Sequence, residues 1–489
     1  MKIMMLNPPF LENYSRSSRS PAVTKGGTIY YPLWLAYATG VLEKEGHEVK
    51  LVDAPAEKIS VEKTLELVKK FKPKLVVVDT STASVHSDVK VLEKIKESQN
   101  CFCVLVGTHV SVLPDQILRM SNKIDAIARQ EYDLILKELA EELQKEKPNL
   151  WNIKGLSFME NKKLIHNRDM PLIHNLDDIP FVSKIYKKHL KIENYFYAAN
   201  LYPEITIVAG RGCNFRCIFC LMPQTMTGRN YRTRSIENVV SEFEYIKKTF
   251  PQVKEIFLED DTFTADKQRV RELCDELIKR KVNITWSTNA RADVDLETLE
   301  KMKQAGCRLL CVGFESGNQK ILNNIKKGTK LDTIRQFMKD TKKAKILVHG
   351  CFMLGNKGET KKTIVETVKF AKELDPDTAQ FFPIMVYPGT EAYDYFKSKG
   401  FLLSEDYTKW LDEEGMHNCM VSRPWLTNKE LVKLCNNARM EFYMRPKYIF
   451  QKIAQAIRHP KEIPRLFKAS KTFSKHLIEN ISEKISGKS

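Results

Sequence analysis

Arg211-Gly212-Cys213-Asn214-Phe215-Arg216-Cys217-Ile218-Phe219-Cys220 follows directly on a β-branched run at residues 205–209. Three cysteines spaced Cys-x3-Cys-x2-Cys on one loop after a strand can hold three irons of a [4Fe–4S] cube, whereas electron-transfer clusters ordinarily take four cysteines. The fourth iron would stay open to an outside ligand, which points to substrate or cofactor chemistry. The competing readings are a structural zinc site, which would want a fourth ligand in the same neighbourhood, and unrelated core thiols.

Downstream of this loop, strand-like runs at residues 255–258, 284–287, 309–313, 347–354 and 379–385 alternate with helical spacing at 236–249, 270–280, 296–304 and 361–374. Six consecutive β/α units predict a barrel or part of one over residues 201–400, with chemistry on the loops after the strands. Upstream, runs at residues 3–6, 48–52, 75–79, 102–106 and 125–128 alternate with helical stretches such as 61–71 and 89–98. That pattern predicts an α/β, doubly wound parallel sheet over residues 1–148. Such sheets bind ligands beyond the carboxyl ends of their strands. Those ends read Asn7-Pro8-Pro9, Thr80-Ser81-Thr82, Gly107-Thr108-His109 and Arg129-Gln130-Glu131, which suits an edge facing a ligand. Residues 149–200 read as a hairpin and a linker.

The 489 residues carry 79 Lys+Arg against 61 Asp+Glu, a formal charge of +18. No apolar run approaches the roughly 18 residues of a spanning helix, which excludes an integral helical membrane protein. Without a secretion signal, the expected location is the cytoplasm, peripheral at the inner membrane face. Eleven cysteines in so long a chain are not a disulfide framework. Cys101 and Cys103 alternate within an apolar strand and read as core, as do Cys307, Cys311 and Cys351. Residues 401–489 are expected to be helical and basic. From Phe442 onward there are eleven Lys/Arg against Glu462, Glu479 and Glu483, with an apolar stripe at Ile449, Phe450, Ile453 and Ile457. That face predicts salt-sensitive contact with anionic lipid, with Pro446, Pro460 and Pro464 breaking it into short helices.

The cysteine loop and the strand ends after it resemble the radical S-adenosylmethionine superfamily. The resemblance implies that Cys213, Cys217 and Cys220 ligate the cluster. It also implies that Phe219, Glu259, Asp260, Asp261, Asn289, Arg291, Glu315 and Ser316 surround S-adenosylmethionine, whose cleavage yields a 5′-deoxyadenosyl radical. The acidic stretch stands where the family commonly has Gly-Gly-Glu. With its N-terminal doubly wound domain, the chain resembles the cobalamin-binding class of that superfamily. This implies a corrin held by Pro8, Ser81, Thr82, Gly107, Thr108, His109, Arg129, Glu131 and Tyr132. The Asp-x-His-x-x-Gly motif of other cobalamin proteins is absent, so no histidine ligand to cobalt is expected from His86 or His109.

Within that class the chain resembles the hopanoid-biosynthesis family of the cyclitol-ether branch, through Tyr31-Pro32-x-Trp34-Leu35-Ala36, Cys220-Leu221-x-Pro223-Gln224-Thr225 and Glu315-Ser316-Gly317-Asn318-Gln319. That likeness implies radical rearrangement of a sugar or polyol head group on a lipid or a small molecule, driven by a reductant such as flavodoxin or ferredoxin. The alternatives are a C-methyltransferase using methylcobalamin, a tRNA methylthiotransferase-like enzyme and a non-enzymatic corrinoid or lipid carrier. The tRNA group has three further N-terminal cysteines and an added RNA-binding domain, so no nucleic-acid partner is expected.

Overall fold

The computed structural model describes residues 1–17, 19–24 and 26–458. The first sheet holds β1 (Lys2–Asn7), β2 (Glu48–Asp53), β3 (Leu75–Asp79), β4 (Phe102–Val106), β5 (Ala126–Ala128), β6 (Leu156–Glu160) and β7 (Lys163–His166). Their order is β2-β1-β3-β4-β5-β6-β7, with β1 to β5 parallel. Every residue of β3 is buried, as a central parallel strand covered on both faces requires. The helix Val61–Phe71 starts where the Ser60 hydroxyl accepts the Lys63 amide at 3.2 Å. The hairpin expected among linker residues instead extends this sheet, β6 running antiparallel to β5. Its backbone satisfies an edge that three-residue β5 would otherwise leave open.

The second sheet is built from β8 (Glu204–Ile207), β11 (Glu255–Leu258), β12 (Trp286–Ala290), β13 (Cys307–Glu315), β14 (Leu347–Leu354) and β15 (Thr378–Pro383). All its pairs are parallel and sequential, giving a partial (β/α)6 barrel. A short antiparallel ribbon, β9 (Gly210–Arg211) with β10 (Arg232–Thr233), stands beside it. Four of these strands differ in extent from the sequence expectation: β8 runs 204–207 and β13 307–315 in place of 205–209 and 309–313, and β12 and β15 shift as well. β12 begins two residues later, and β15 closes at Pro383, which has no ladder donor. Residues 401–427, expected within a helical region, run extended with isolated bridges and one 3-10 turn, Tyr407–Trp410. Gly415 and Pro424 punctuate that stretch. Helix resumes at Asn428–Tyr443 behind a Thr427–Glu430 capping box, and a last helix covers Pro446–Arg458.

One apolar core runs through both sheets. Tyr31 is stacked between Tyr186 at 4.3 Å and Tyr195 at 4.0 Å, and its hydroxyl donates to the Glu204 carbonyl at the start of the barrel. Two buried ion pairs cross the same seam: Arg211 with Asp133 at 2.8 Å and Arg232 with Glu131 at 2.7 Å. Val112, after β4, lies against Gly389, after the last barrel strand, so the ligand edges of both sheets meet.

Candidate active site

The cysteine loop is tied at its base and along its length. Pairing of β9 with β10 closes residues 212–231 into one excursion. Gly212 turns at φ +88°, where a Cβ would collide with the Asn230 carbonyl. The Cys213 amide donates to the Gly228 carbonyl at 3.2 Å, and the Ile218 amide to that of Ile325 at 3.1 Å. Cys213 and Cys217 are buried and Cys220 half-buried. Burial pushes the Cys220 thiol well up, with Asp261 adding to it and Arg19 opposing it. The Cys213 thiol is likewise raised, chiefly by burial.

Each thiol has a cation within electrostatic reach: Arg291 for Cys213, Lys327 for Cys217 and Arg19 for Cys220. Burial pulls the Lys327 ammonium down, yet Glu315 at 2.9 Å and Cys217 hold it above its ordinary value. A donor set of three thiols ringed by three cations fits an anionic cubane. No three His, Cys, Asp or Glu side chains among the described residues converge on a single ion position. A cube does not ask that of them, because each iron takes its own thiolate.

Of the predicted S-adenosylmethionine residues, the strand ends bring Glu259, Asn289, Arg291 and Glu315 around this loop. Asn289 donates to Glu259 Oε2 at 3.1 Å. The Arg291 guanidinium lies 3.5 Å over the Phe215 ring and donates to the Lys327 carbonyl. Phe219 is half-buried in the core beside the cysteines. Asp260 and Ser316 are engaged otherwise. The Asp260 carboxylate accepts from the Ala209 amide and the Tyr231 hydroxyl, both at 2.7 Å, and burial pushes it up to about 7. Ser316 meets Thr367 of the helix Lys361–Leu374 at 3.1 Å, and Asp261 accepts from Thr227 at 2.8 Å.

Sequence reasoning missed Arg19. Its guanidinium donates to Glu259 Oε1 at 3.0 Å and to the carbonyls of Glu259 and Asp260 at 2.9 Å each. The acidic edge therefore already holds a cation, which is what a methionine ammonium would require of it. Lys327 was missed as well. Neither stands in a pattern that marks it, since their partners are set by tertiary contact.

At the first sheet's ligand edge, Gly107 has φ +120°, and a Cβ there would strike the Thr80 carbonyl. The run from Ser81 to Ser84, expected as an open surface, is buried instead. Tyr14 covers it, its hydroxyl 2.7 Å from Ser81 Oγ. Arg16 locks that cover by pairing with Asp88 at 2.6 Å and donating to Asn7 Oδ1 and the Pro8 carbonyl. Thr108 starts the short helix after Gly107. The His109 ring is buried with Nε2 unpartnered among the described residues, and burial, then His86, pulls it down to about 3. The buried Tyr132 hydroxyl is also unpartnered. Arg129 and Glu131 stand at the expected strand end but serve protein partners: Arg129 donates to the Leu156 and Asn167 carbonyls, and Glu131 clamps Arg232. A cavity of about 800 Å3 opens beside them, lined by Ser111–Gln116, Arg129, Gln130 and His166–Asp169. Of the residues expected around a corrin only Arg129 lines this cavity, while Gly107 and the two orphaned buried atoms, His109 Nε2 and the Tyr132 hydroxyl, stand outside its lining at the same strand ends; those unpaired groups suit the amide rim of a corrin.

Fold and site together define a class, B12-binding domain followed by radical S-adenosylmethionine barrel. The chain matches the B12 binding domain over residues 19–140 and the Radical SAM superfamily over residues 207–371. It is 32% identical over 456 residues to the uncharacterized methyltransferase PH0819 of Pyrococcus horikoshii, covering 93% of this chain and 95% of that protein, and it belongs to that cobalamin-dependent, methyltransferase-like radical SAM family. It is 27% identical over 424 residues to the anaerobic magnesium-protoporphyrin IX monomethyl ester cyclase of Cereibacter sphaeroides, covering 85% of this chain and 67% of that protein. The fold is that of the radical S-adenosylmethionine methyltransferase TsrM of Kitasatospora setae, with a TM-score of 0.69 at 17% identity over 89% of this chain and 90% of that one. The protein is an enzyme whose cofactors are a [4Fe–4S] cluster, S-adenosylmethionine and cobalamin. Among the described residues no helix is long and apolar enough to cross a membrane.

Proposed function

We propose that the enzyme transfers a methyl group to an unactivated carbon of a small-molecule or lipid-linked substrate. The observation that carries this reading is the full-length relation to a protein named as a methyltransferase. The approach of Val112, after β4, to Gly389, after the last barrel strand, supports it, since it brings the strand ends of the two sheets together. The rearrangement of a polyol head group, put first from sequence, gives way to methyl transfer on this ground. When bound, the cluster with S-adenosylmethionine supplies a carbon-centred radical, and cobalamin carries the methyl group.

In this reading Cys213, Cys217 and Cys220 hold three irons, while Lys327 and Arg291 offset the added negative charge. Glu259, with the carbonyls of Glu259 and Asp260, takes the methionine ammonium in exchange for Arg19. Asn289 fixes the Glu259 carboxylate, and Lys327 does the same for Glu315. Gly107 admits the corrin edge and His109 offers Nε2 to its amides without ligating cobalt. The exposed apolar face of the helix Pro446–Arg458 supports a substrate presented at an anionic membrane surface.

Anaerobically reconstituted enzyme given S-adenosylmethionine with a deuterated methyl group should yield a product carrying the intact labelled methyl. The triple Cys→Ala protein should bind no iron and give none. Release of 5′-deoxyadenosine with an isomerised, unlabelled product would return the assignment to rearrangement.

A further inference from the structure

A second hollow, of about 480 Å3, opens behind the cysteine loop and is lined by Arg216, Pro223, Gln224, Arg229, Lys326, Gly389 and Glu391. Three of these side chains are cationic. Glu391 is the one carboxylate among the lining residues and pairs with Lys326 at 2.7 Å. Arg216 is exposed, stands between Cys213 and Cys217 in sequence, and has no ion pair among the described residues. The floor of the hollow is the outer side of the ligand loop itself. Gln224 donates to the Cys220 carbonyl at 2.7 Å, and Arg229 donates to the carbonyls of Phe215 and Cys217. One residue's thickness therefore separates this surface from two of the three thiol-bearing residues. None of the thiols' own cations, Arg19, Arg291 and Lys327, lines this hollow, and the latter two are buried within the barrel.

We propose that this basic hollow is the docking seat of a small acidic one-electron carrier protein that reduces the cluster through the loop. The inference rests on the cluster reading above and gives the reductant expected from sequence a surface on this chain. One electron passes from the carrier's reduced flavin to the cluster. The carrier loses that electron and is oxidised by one unit, the cluster gains it and is reduced by one unit, and no bond is made or broken. Electron transfer falls steeply with distance, so a productive encounter must occur where protein between partner and cluster is thinnest. Electron-transfer encounters are small, below about 1,200 Å2, and steered by charge, so a few cations around a hollow suffice.

The test is anaerobic stopped-flow reduction of the reconstituted full-length protein by flavodoxin hydroquinone, and separately by reduced methyl viologen. Arg216→Glu/Lys326→Glu should slow the flavodoxin reaction at low salt at least tenfold and flatten its salt dependence. Iron content and the methyl viologen reaction should match wild type, and Arg216→Lys/Lys326→Arg should keep the flavodoxin rate. An unchanged flavodoxin rate in the charge-reversed protein overturns the proposal. So does an equal slowing with methyl viologen, because the two side chains would then act on the cluster rather than on the partner. A wild type lacking about four irons per chain would sink the cluster reading itself.

Discussion

Asp88→Asn tests the lock that holds the first loop over the proposed corrin edge. Arg16 and Asp88 are both fully buried, with Nη2 2.6 Å from Oδ1. Their pairing connects Tyr14, Ser81 and Ser84 on one side with Asn7, Asp53 and Tyr195 on the other, through bonds of 2.6–2.9 Å. Neutralising Asp88 leaves the guanidinium with neutral acceptors alone, Asn7 Oδ1, the Pro8 carbonyl and the amide oxygen of the substituted side chain, and without its carboxylate partner. Removing one partner of such a pair costs about 3–5 kcal/mol, because the other charge stays buried and uncompensated. Arg16→Met added to Asp88→Asn removes that charge, so the double variant should recover at least about 2 kcal/mol of the loss. What remains is the ordinary cost of broken neutral hydrogen bonds, about 1 kcal/mol each. Denaturant titration of the apoprotein by circular dichroism, on wild type, both singles and the double, closes the cycle. If Asp88→Asn costs less than about 1 kcal/mol, or the double is no more stable than that single, the loop is not held by this charge pair.

Three further outcomes are expected. Gly107→Val should lower both the melting temperature and the cobalamin retained on purification, since φ +120° and the Thr80 carbonyl leave no room for a side chain; unchanged cobalamin content would remove Gly107 from the corrin edge. Burial, against the pull of Arg16, pushes Asp79 up to about 7. A carboxyl so raised favours folding below its unfolded value near 4 and loses that contribution as pH rises through 7, so Asp79→Asn should stabilise the protein by roughly 1–3 kcal/mol at pH 8 and by little at pH 4; equal effects at both would refute the burial argument. Ile449, Phe450, Ile453 and Ile457 are exposed on one arc of the last helix, while the bases after residue 458 and Pro460 and Pro464 lie outside the described residues. Phe450→Asp/Ile453→Asp should abolish salt-sensitive co-sedimentation with anionic vesicles, and full binding by that variant would end the lipid reading.

The sequence was readable where a pattern is local. β3, β4, β11 and β14 were placed to the residue because runs rich in apolar and β-branched residues end at polar or turn-forming neighbours. The helices Ile236–Thr249 and Lys361–Leu374 were placed likewise, each opening behind a capping hydroxyl, Ser235 or Thr360. The loop after β1 was not readable: Arg16 finds Asp88 72 residues away and Arg19 finds Glu259 240 residues away. No periodicity encodes such partners. That is why an edge of small polar residues was expected open and is roofed.

Glu259, Asp260 and Asp261 show where the limit lies within a single motif. In sequence they are three equivalent acids after a strand. In the fold the chain has left β11 at Leu258, and the three side chains diverge. Asp260, the middle one, is carried inward to the Ala209 amide and Tyr231, while Glu259 and Asp261 face Arg19 at 3.0 and 3.8 Å. The residue type announces an acidic edge, but the direction each side chain takes after the strand decides which acids can present charge to a ligand. Replacing Asp260 would therefore disturb the end of the barrel strand, whereas replacing Glu259 would remove the charge that now holds a cation.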